Sequence, residues 1–144
     1  MNLQEKNLAD SPVLIDTPVW QDYFRKQERT FREVNALMDA GRVCCLDLVV
    51  AELLHTAQTK EEMKIFQDLT RIFPLLPEQP GSWVEAARLA FEVRQKGKNL
   101  PLRDCYLAVL ARANRVLLFT TNKKMRQARR ALGLQFFTKR RPAE

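Results

Sequence analysis

The chain has 144 residues, 46% of them hydrophobic, and a formal net charge of +7, which is typical of one globular domain with its own core. Its four glycines and seven prolines are too few for a disordered or collagen-like chain, and no apolar run approaches the roughly 18 residues that span a bilayer. The polar start of the chain does not resemble a secretory signal, and the three cysteines fit neither a disulfide framework nor a zinc-binding spacing. We therefore expect a cytoplasmic protein with reduced thiols and no membrane partner.

Short apolar runs alternate with amphipathic segments along most of the chain. The apolar runs predict up to five strands, at residues 13–15, 42–46, 72–76, 116–119 and 135–137. The intervening segments predict helices: one that begins at residues 16–18 and ends at Gly41, then 47–58, 60–71, 83–97, 102–113 and 123–132. The alternation predicts an α/β fold with a central, mainly parallel sheet of four to five short strands flanked by helices. This single domain would cover residues 13–137, after a polar leader at 1–12 and before a basic tail at 138–144.

Three carboxylates stand in apolar surroundings near the ends of predicted elements. Asp16 follows the first strand, Glu52 lies within an aliphatic helix, and Asp104 precedes a long apolar stretch. Such a carboxylate is costly unless a cation or hydrogen bonds compensate it. Asp16 could simply cap a helix and Asp104 could simply face a helix dipole, but Glu52 caps nothing. Ligands of parallel sheets bind beyond the carboxyl ends of strands, so we expect the three carboxylates to share one metal ion there.

The positive charge is concentrated in the last third of the chain. From residue 101 onward there are eleven Lys or Arg side chains against two carboxylates. A basic surface of this kind attracts a polyanion such as a nucleic acid, although a solvated helix face that keeps a protein soluble is also basic. Arg103 and Lys123 flank candidate ligands, where each would hold a phosphate or form a salt bridge with the carboxylates. The side chains predicted to bind nucleic acid are Arg103, Lys123, Lys124, Arg126, Arg129 and Arg130.

Four motifs, in a fixed order, carry the candidate site residues. They are Leu14-Ile15-Asp16-Thr17-Pro18-Val19-Trp20, Val49-Val50-Ala51-Glu52-Leu53, Leu102-Arg103-Asp104-Cys105-Tyr106-Leu107-Ala108 and Leu117-Leu118-Phe119-Thr120-Thr121-Asn122. With these motifs the chain resembles the PIN-domain family, and most closely its VapC-like toxin ribonucleases, from about Val13 to Phe137. The resemblance implies a single PIN-like domain whose parallel sheet carries clustered acidic residues.

The resemblance also implies a Mg²⁺- or Mn²⁺-dependent endoribonuclease that acts as the toxin of a toxin–antitoxin pair. Asp16, Glu52 and Asp104 match the family's acidic metal ligands and would be catalytic together with Asn122. The side chains expected to support these ligands through hydrogen bonds are Thr17 and Thr120, although a hydroxyl at a strand end, such as that of Thr120, is as often simply part of a turn. The implied partners are an RNA substrate, a small antitoxin protein and a second copy of the chain in a homodimer.

Asn122 departs from the family's pattern, because many members have a fourth acid at this position. The carbonyl oxygen of Asn is still suited to a hard cation. Its missing negative charge, however, predicts weaker binding of a second ion. The alternative hypothesis is therefore a catalytically weak or inactive PIN-like protein that binds RNA or serves as a scaffold.

Two sets of apolar side chains have more than one candidate role. The Leu and Phe residues of the predicted helix 60–71 would contact the antitoxin or pack in the core. The aromatic residues assigned to the core or to a dimer interface are Trp20, Trp83, Phe91 and Phe119.

Overall fold

The structure, a computed structural model, describes residues 10–138. Within that range three strands form the sheet: β1 (Val13–Ile15), β2 (Val43–Cys44) and β3 (Leu117–Phe119). They are parallel and lie in the order β2–β1–β3, so β1 is central and the strand order reverses beside it. Every residue of the three strands is buried, as expected for a parallel sheet covered on both faces.

Eight helices flank the sheet in this part of the chain. They are α1 (Thr17–Phe24), α2 (Glu28–Asp39), α3 (Asp47–Thr56), α4 (Lys60–Ile72), α5 (Ser82–Gln95), α6 (Leu102–Ala113), α7 (Lys123–Gln127) and α8 (Arg129–Leu132). Helix α6 lies deepest, because all of its residues from Asp104 to Ala111 are buried, and it packs against α5 and β3. The predicted α/β architecture with a parallel sheet is confirmed.

The number of strands is smaller than the four to five predicted. Residues 72–76 and 135–137 each contribute only a single parallel bridge, Cys45 with Leu75 and Leu118 with Phe136. In the first segment, helix α4 continues to Ile72, and Pro74 has no N–H with which to extend a ladder. Its carbonyl instead accepts a hydrogen bond from the Cys45 N–H at 2.8 Å.

Two of the predicted helices are each divided in two. The helix expected to end at Gly41 breaks at Lys26, whose backbone is left-handed with φ +59°. The Gln27 side chain then caps α2 by accepting a hydrogen bond, at 2.8 Å, from the N–H three residues on, which satisfies an otherwise unpaired donor of the new helix. The helix expected over residues 123–132 breaks at Ala128. Neither break has a Gly or Pro that would mark it in the sequence.

The apolar side chains with open roles divide between core and surface. The core contains Trp20, Phe66, Leu69 and Phe119. Trp83 and Phe91 are 44% and 55% exposed, so of the four aromatic residues assigned to core or interface these two are available to a partner. The α4 residues Phe66 and Leu69 serve core packing.

The predicted polar leader and basic tail lie, apart from residues 10–12 and 138, outside the described residues. Between residues 10 and 138 no helix combines the length and the apolar character that crossing a membrane requires.

Candidate active site

Asp16 lies where the central strand ends. Its N–H donates to the Phe119 carbonyl at 2.9 Å, so the ends of β1 and β3 are joined at the point where strand order reverses. The side chain is fully buried. Asp16 Oδ1 accepts from the Thr17 N–H at 2.8 Å and thereby caps α1, while Oδ2 accepts from Thr120 Oγ1 at 2.7 Å. Of the two roles considered for Asp16, the structure shows the helix cap, and the role as a metal ligand stays a prediction.

Glu52 reaches the same place from helix α3. That helix directs Val49, Val50 and Leu53 into the core and leaves Glu52 34% exposed at its margin. Glu52 Oε1 accepts a hydrogen bond from Thr17 Oγ1 at 2.7 Å. Helix α3 thus holds its carboxylate against the start of α1.

Asp104 enters the cluster from the first turn of α6, where it is 3% exposed. Its Oδ2 accepts from Asn122 Nδ2 at 3.0 Å. Asn122 Oδ1 accepts from the Met125 N–H at 3.2 Å and so caps α7. In this arrangement Asn122 presents its amide N–H to the cluster, and its carbonyl oxygen, the atom expected to face a cation, is engaged at the helix.

Arg103 joins the three carboxylates to one another. Its Nη2 donates to Asp16 Oδ1 at 2.8 Å and to Glu52 Oε1 at 2.5 Å, its Nη1 donates to Asp104 Oδ1 at 2.9 Å, and its Nε donates to Glu52 Oε2 at 3.2 Å. Of the two roles considered for Arg103, phosphate contact and salt bridging, the structure shows the salt bridges. Burial alone lowers the pKa of the guanidinium, but hydrogen bonds to Glu52 and Asp16, the charge of Asp16 and a hydrogen bond to Asp104 outweigh it, so the pKa is raised.

The donor chemistry of this cluster suits a hard divalent cation. The three carboxylates come from separate elements, and the single guanidinium offsets only one of their three formal negative charges. Mg²⁺ and Mn²⁺ prefer oxygen ligands of this kind. As the side chains lie, no three acidic, His or Cys residues between positions 10 and 138 are arranged to share an ion directly. The role of Asp16, Glu52 and Asp104 as metal ligands stays a prediction.

The predicted RNA-binding side chains of α7 and α8 lie on the surface beside this cluster. Lys123, Lys124, Arg129 and Arg130 are exposed. Arg126 is tied to the cluster indirectly, because its Nε donates to the Thr120 carbonyl at 3.2 Å.

A cavity of about 350 Å³ continues this basic surface. It lies between the end of α5 and helices α7 and α8. Its charged lining residues, among those the structure describes, are all basic: Lys96, Lys98, Arg126, Arg129 and Arg130. Lys96 and Lys98 were not predicted to belong to the site, because in the sequence they stand only at the end of a helix. Their meeting with α7 and α8 is a property of the fold.

Several solved structures share the fold of this chain. VapBC-1 from nontypeable Haemophilus influenzae is 18% identical with a TM-score of 0.68, and 87% of this chain and 96% of that chain are covered. DNA-bound VapBC from Salmonella typhimurium is 16% identical with a TM-score of 0.70, and the coverage is 88% and 97%.

FitAcB from Neisseria gonorrhoeae also shares the fold, at 19% identity and a TM-score of 0.65, with 88% and 96% of the two chains covered. A comparison with curated proteins found no match. The family model of the PIN domain matches residues 13–131. That range is most of the chain and includes the four motifs, so the protein belongs to the PIN-domain family.

Proposed function

We propose that this PIN domain is a VapC-like, metal-dependent endoribonuclease. One observation carries the proposal: three carboxylates from three separate elements surround a single cationic group at the carboxyl edge of the sheet. This edge, at the reversal of strand order, is where parallel sheets bind ligands. The cluster is also the place where buried negative charge needs a cation.

Asp16, Glu52 and Asp104 would hold Mg²⁺ or Mn²⁺ through their oxygens. Bound there, such an ion supplies a polarised water for attack on phosphorus and offsets charge on the phosphate. The chain itself keeps the carboxylates in place, since Thr120 and Thr17 donate to Asp16 and Glu52. These hydroxyls act as orienting groups, as outer hydrogen bonds do at other metal sites. The expected products carry 5′-phosphate and 3′-hydroxyl ends.

The basic surface beside the cluster would bind the RNA backbone. Phosphate contacts of this kind position a strand without reading its bases. The surface extends from the exposed lysines of α7 to the cavity that Lys96 and Lys98 share with α8. Its connection to the cluster is short, because Arg126 donates to the Thr120 carbonyl and the Thr120 hydroxyl donates to Asp16.

The deciding experiment is an RNA cleavage assay with matched acid-to-amide variants. The wild-type protein should cleave RNA with Mn²⁺ or Mg²⁺ and stop when EDTA is added. Asp16→Asn and Asp104→Asn should each lower the rate by more than about a hundredfold, because each removes a ligand charge. Glu61→Gln, an exposed acid on α4, is the control and should cleave normally. Wild-type rates in either ligand variant, with an unchanged circular dichroism spectrum, would contradict the proposal.

We also propose that a small antitoxin partners this chain in the cytoplasm. The likeness in fold to VapBC complexes supports this partner. Expression of the chain alone should arrest growth, and co-expression of the antitoxin should restore it. Arrest that persists in Asp16→Asn would show that the toxicity does not come from the cluster.

A second copy of the chain is the proposed partner for the outer face of α5. Trp83, Val84 and Phe91 are exposed along it, and Glu85 and Arg88 of the same helix are exposed beside them. A face with both charge signs can pair with itself across a two-fold axis. Phe91→Glu should convert a dimer into a monomer in sedimentation, and a mass unchanged by this substitution would exclude this face.

Asn122 favours one alternative, an RNA-binding or scaffold protein with weak or no cleavage activity. The amide replaces the fourth acid of many family members, and its N–H faces Asp104. Under this alternative, the basic surface would bind RNA while the cluster would serve stability alone.

A further inference from the structure

Arg103 engages the inner oxygen atoms of the three carboxylates. Asp16 Oδ1, Glu52 Oε1 and Asp104 Oδ1 accept from its guanidinium within 2.9 Å. The outer oxygens Asp16 Oδ2 and Asp104 Oδ2 accept instead from Thr120 and Asn122. Each of the two aspartates therefore has one oxygen bonded to Arg103 and one bonded to Thr120 or Asn122, and Asp16 Oδ1 also accepts the Thr17 N–H at the start of α1.

A divalent ion would need the same inner oxygens. The outer ones are occupied by hydroxyl and amide donors that hold the carboxylates in place, and the guanidinium, 24% exposed, fills the space between the inner ones. Two cations cannot share that space, because like charges at contact distance repel strongly where water is scarce. Metal binding and the present position of Arg103 therefore exclude each other.

We propose that Arg103 is a built-in counter-ion that exchanges with the divalent ion. This inference rests on the proposed metal site and adds a competitor to it. In the absence of metal, Arg103 compensates the carboxylates and stabilises the fold. When metal binds, the guanidinium leaves the inner oxygens while its backbone stays beside Asp104.

The displaced guanidinium has an evident acceptor in the proposed substrate. A phosphate brought to the cluster would lie within reach of a side chain anchored next to Asp104. One planar guanidinium group can bind two oxygens of the same phosphate at once. RNA that holds Arg103 away from the carboxylates thereby favours metal binding, and the two ligands reinforce each other.

Isothermal titration with Mn²⁺ tests the exchange without any cleavage. Arg103→Met removes the charge and offers no oxygen ligand, so it should bind Mn²⁺ at least about tenfold more tightly than the wild-type protein. Arg71→Met removes an equal charge from an exposed position on α4 and should leave the affinity within about twofold. Equal affinities for wild type and Arg103→Met, or weaker binding by Arg103→Met, would overturn the exchange while leaving the metal site intact. Failure of every variant to bind Mn²⁺ would overturn the metal site and the exchange together.

A second measurement uses the wild-type protein alone, in case Arg103→Met does not fold. The Nε–H of Arg103, which donates to Glu52, should give a protected side-chain signal in ¹⁵N NMR spectra in EDTA. Saturating Mg²⁺ should shift that signal and increase its exchange with water. A signal that stays unchanged while Mg²⁺ binds would show that Arg103 does not leave.

Discussion

Thr120 Oγ1 donates a hydrogen bond to Asp16 Oδ2 at 2.7 Å and so connects the ends of the two neighbouring strands β3 and β1. Both side chains are fully buried. The same hydroxyl accepts from the Asn122 N–H at 3.1 Å, so Thr120 links the turn after β3 to the central carboxylate. Because Oδ2 is fixed in this way, Oδ1 is the oxygen that faces the centre of the cluster.

Replacing Thr120 with Val should weaken both the fold and the cluster. Val keeps the shape of Thr but removes the donor, which leaves Asp16 Oδ2 buried and unsatisfied at a cost of about 1–3 kcal/mol. We expect the free energy of unfolding in urea to fall by that amount and Mn²⁺ affinity to fall with it. Thr120→Ser keeps the hydroxyl and should recover the metal affinity. Equal Mn²⁺ affinities for the Val and Ser variants would show that the hydroxyl does not orient Asp16.

Replacing Asn122 with Asp distinguishes the proposed nuclease from the alternative, an RNA-binding or scaffold protein with weak or no cleavage activity. Asp retains the oxygen that caps α7. The amide nitrogen that donates to Asp104 is replaced by a carboxylate oxygen, so two carboxylates then face each other. Like charges so close destabilise the metal-free protein. Thermal unfolding in EDTA should therefore occur at a lower temperature than in the wild type, and Mn²⁺ should reverse the loss.

An RNA cleavage assay of the native chain and of Asn122→Asp decides between the two hypotheses. If the native chain already cuts RNA with Mn²⁺, the hypothesis of an RNA-binding or scaffold protein fails. If the native chain is inert and the substitution makes it a nuclease, that hypothesis is supported. Asn122→Ala is the control, because it removes the cap and the amide without adding charge. It should lose stability both with and without Mn²⁺.

The cluster was largely predictable from the sequence, but its internal contacts were not. Asp16 and Asp104 were marked by carboxylates beside apolar runs, and Glu52 by its place inside an aliphatic helix. The direction taken by Arg103 depends on distances between three elements that are far apart in the chain. From the sequence alone, an arginine beside a candidate ligand is equally suited to contact a phosphate or to form salt bridges with the carboxylates. Only the folded structure shows which contact is made.

The errors in the predicted fold also have identifiable physical causes. Apolar composition predicts burial but not pairing, so residues 72–76 and 135–137 were assigned to strands although each forms a single bridge. The break at Lys26 was missed because the residue type Lys does not indicate a left-handed backbone conformation. Lys96 and Lys98 are placed beside α8 by the packing of whole helices, which no short motif encodes.

The basic cavity predicts how RNA affinity depends on salt concentration. Lys96→Gln with Lys98→Gln should weaken binding of single-stranded RNA and reduce the slope of log affinity against log salt by about 0.7 for each phosphate that the protein no longer neutralises. Binding should be measured in EDTA, so that cleavage does not interfere. Lys60→Gln with Lys64→Gln removes the same charge from exposed positions on α4 and should leave the slope unchanged. An equal effect of the two pairs would assign RNA affinity to net charge and not to the cavity.

Cys44 and Cys45, at the end of β2, predict how stability changes at alkaline pH. Burial raises the pKa of each thiol from its ordinary value of 9.0 to about 12, and the charge of Cys45 adds to the effect on Cys44. Since the folded pKa lies above the unfolded one, the stabilisation is complete below pH 9 and is lost as the pH rises towards about 12. The loss should approach about 1.4 kcal/mol per pH unit for each thiol.

Cys44→Ala isolates this contribution, because Lys, Arg and Tyr side chains titrate alike in both proteins. Its free energy of unfolding should start lower, owing to the smaller side chain, but fall less steeply from about pH 9 upward. Urea unfolding at several pH values, with a reductant present throughout, measures the two slopes. Parallel slopes would mean that the Cys44 thiol ionises as readily in the folded chain as in the unfolded one, and the burial of β2 would then not control its pKa.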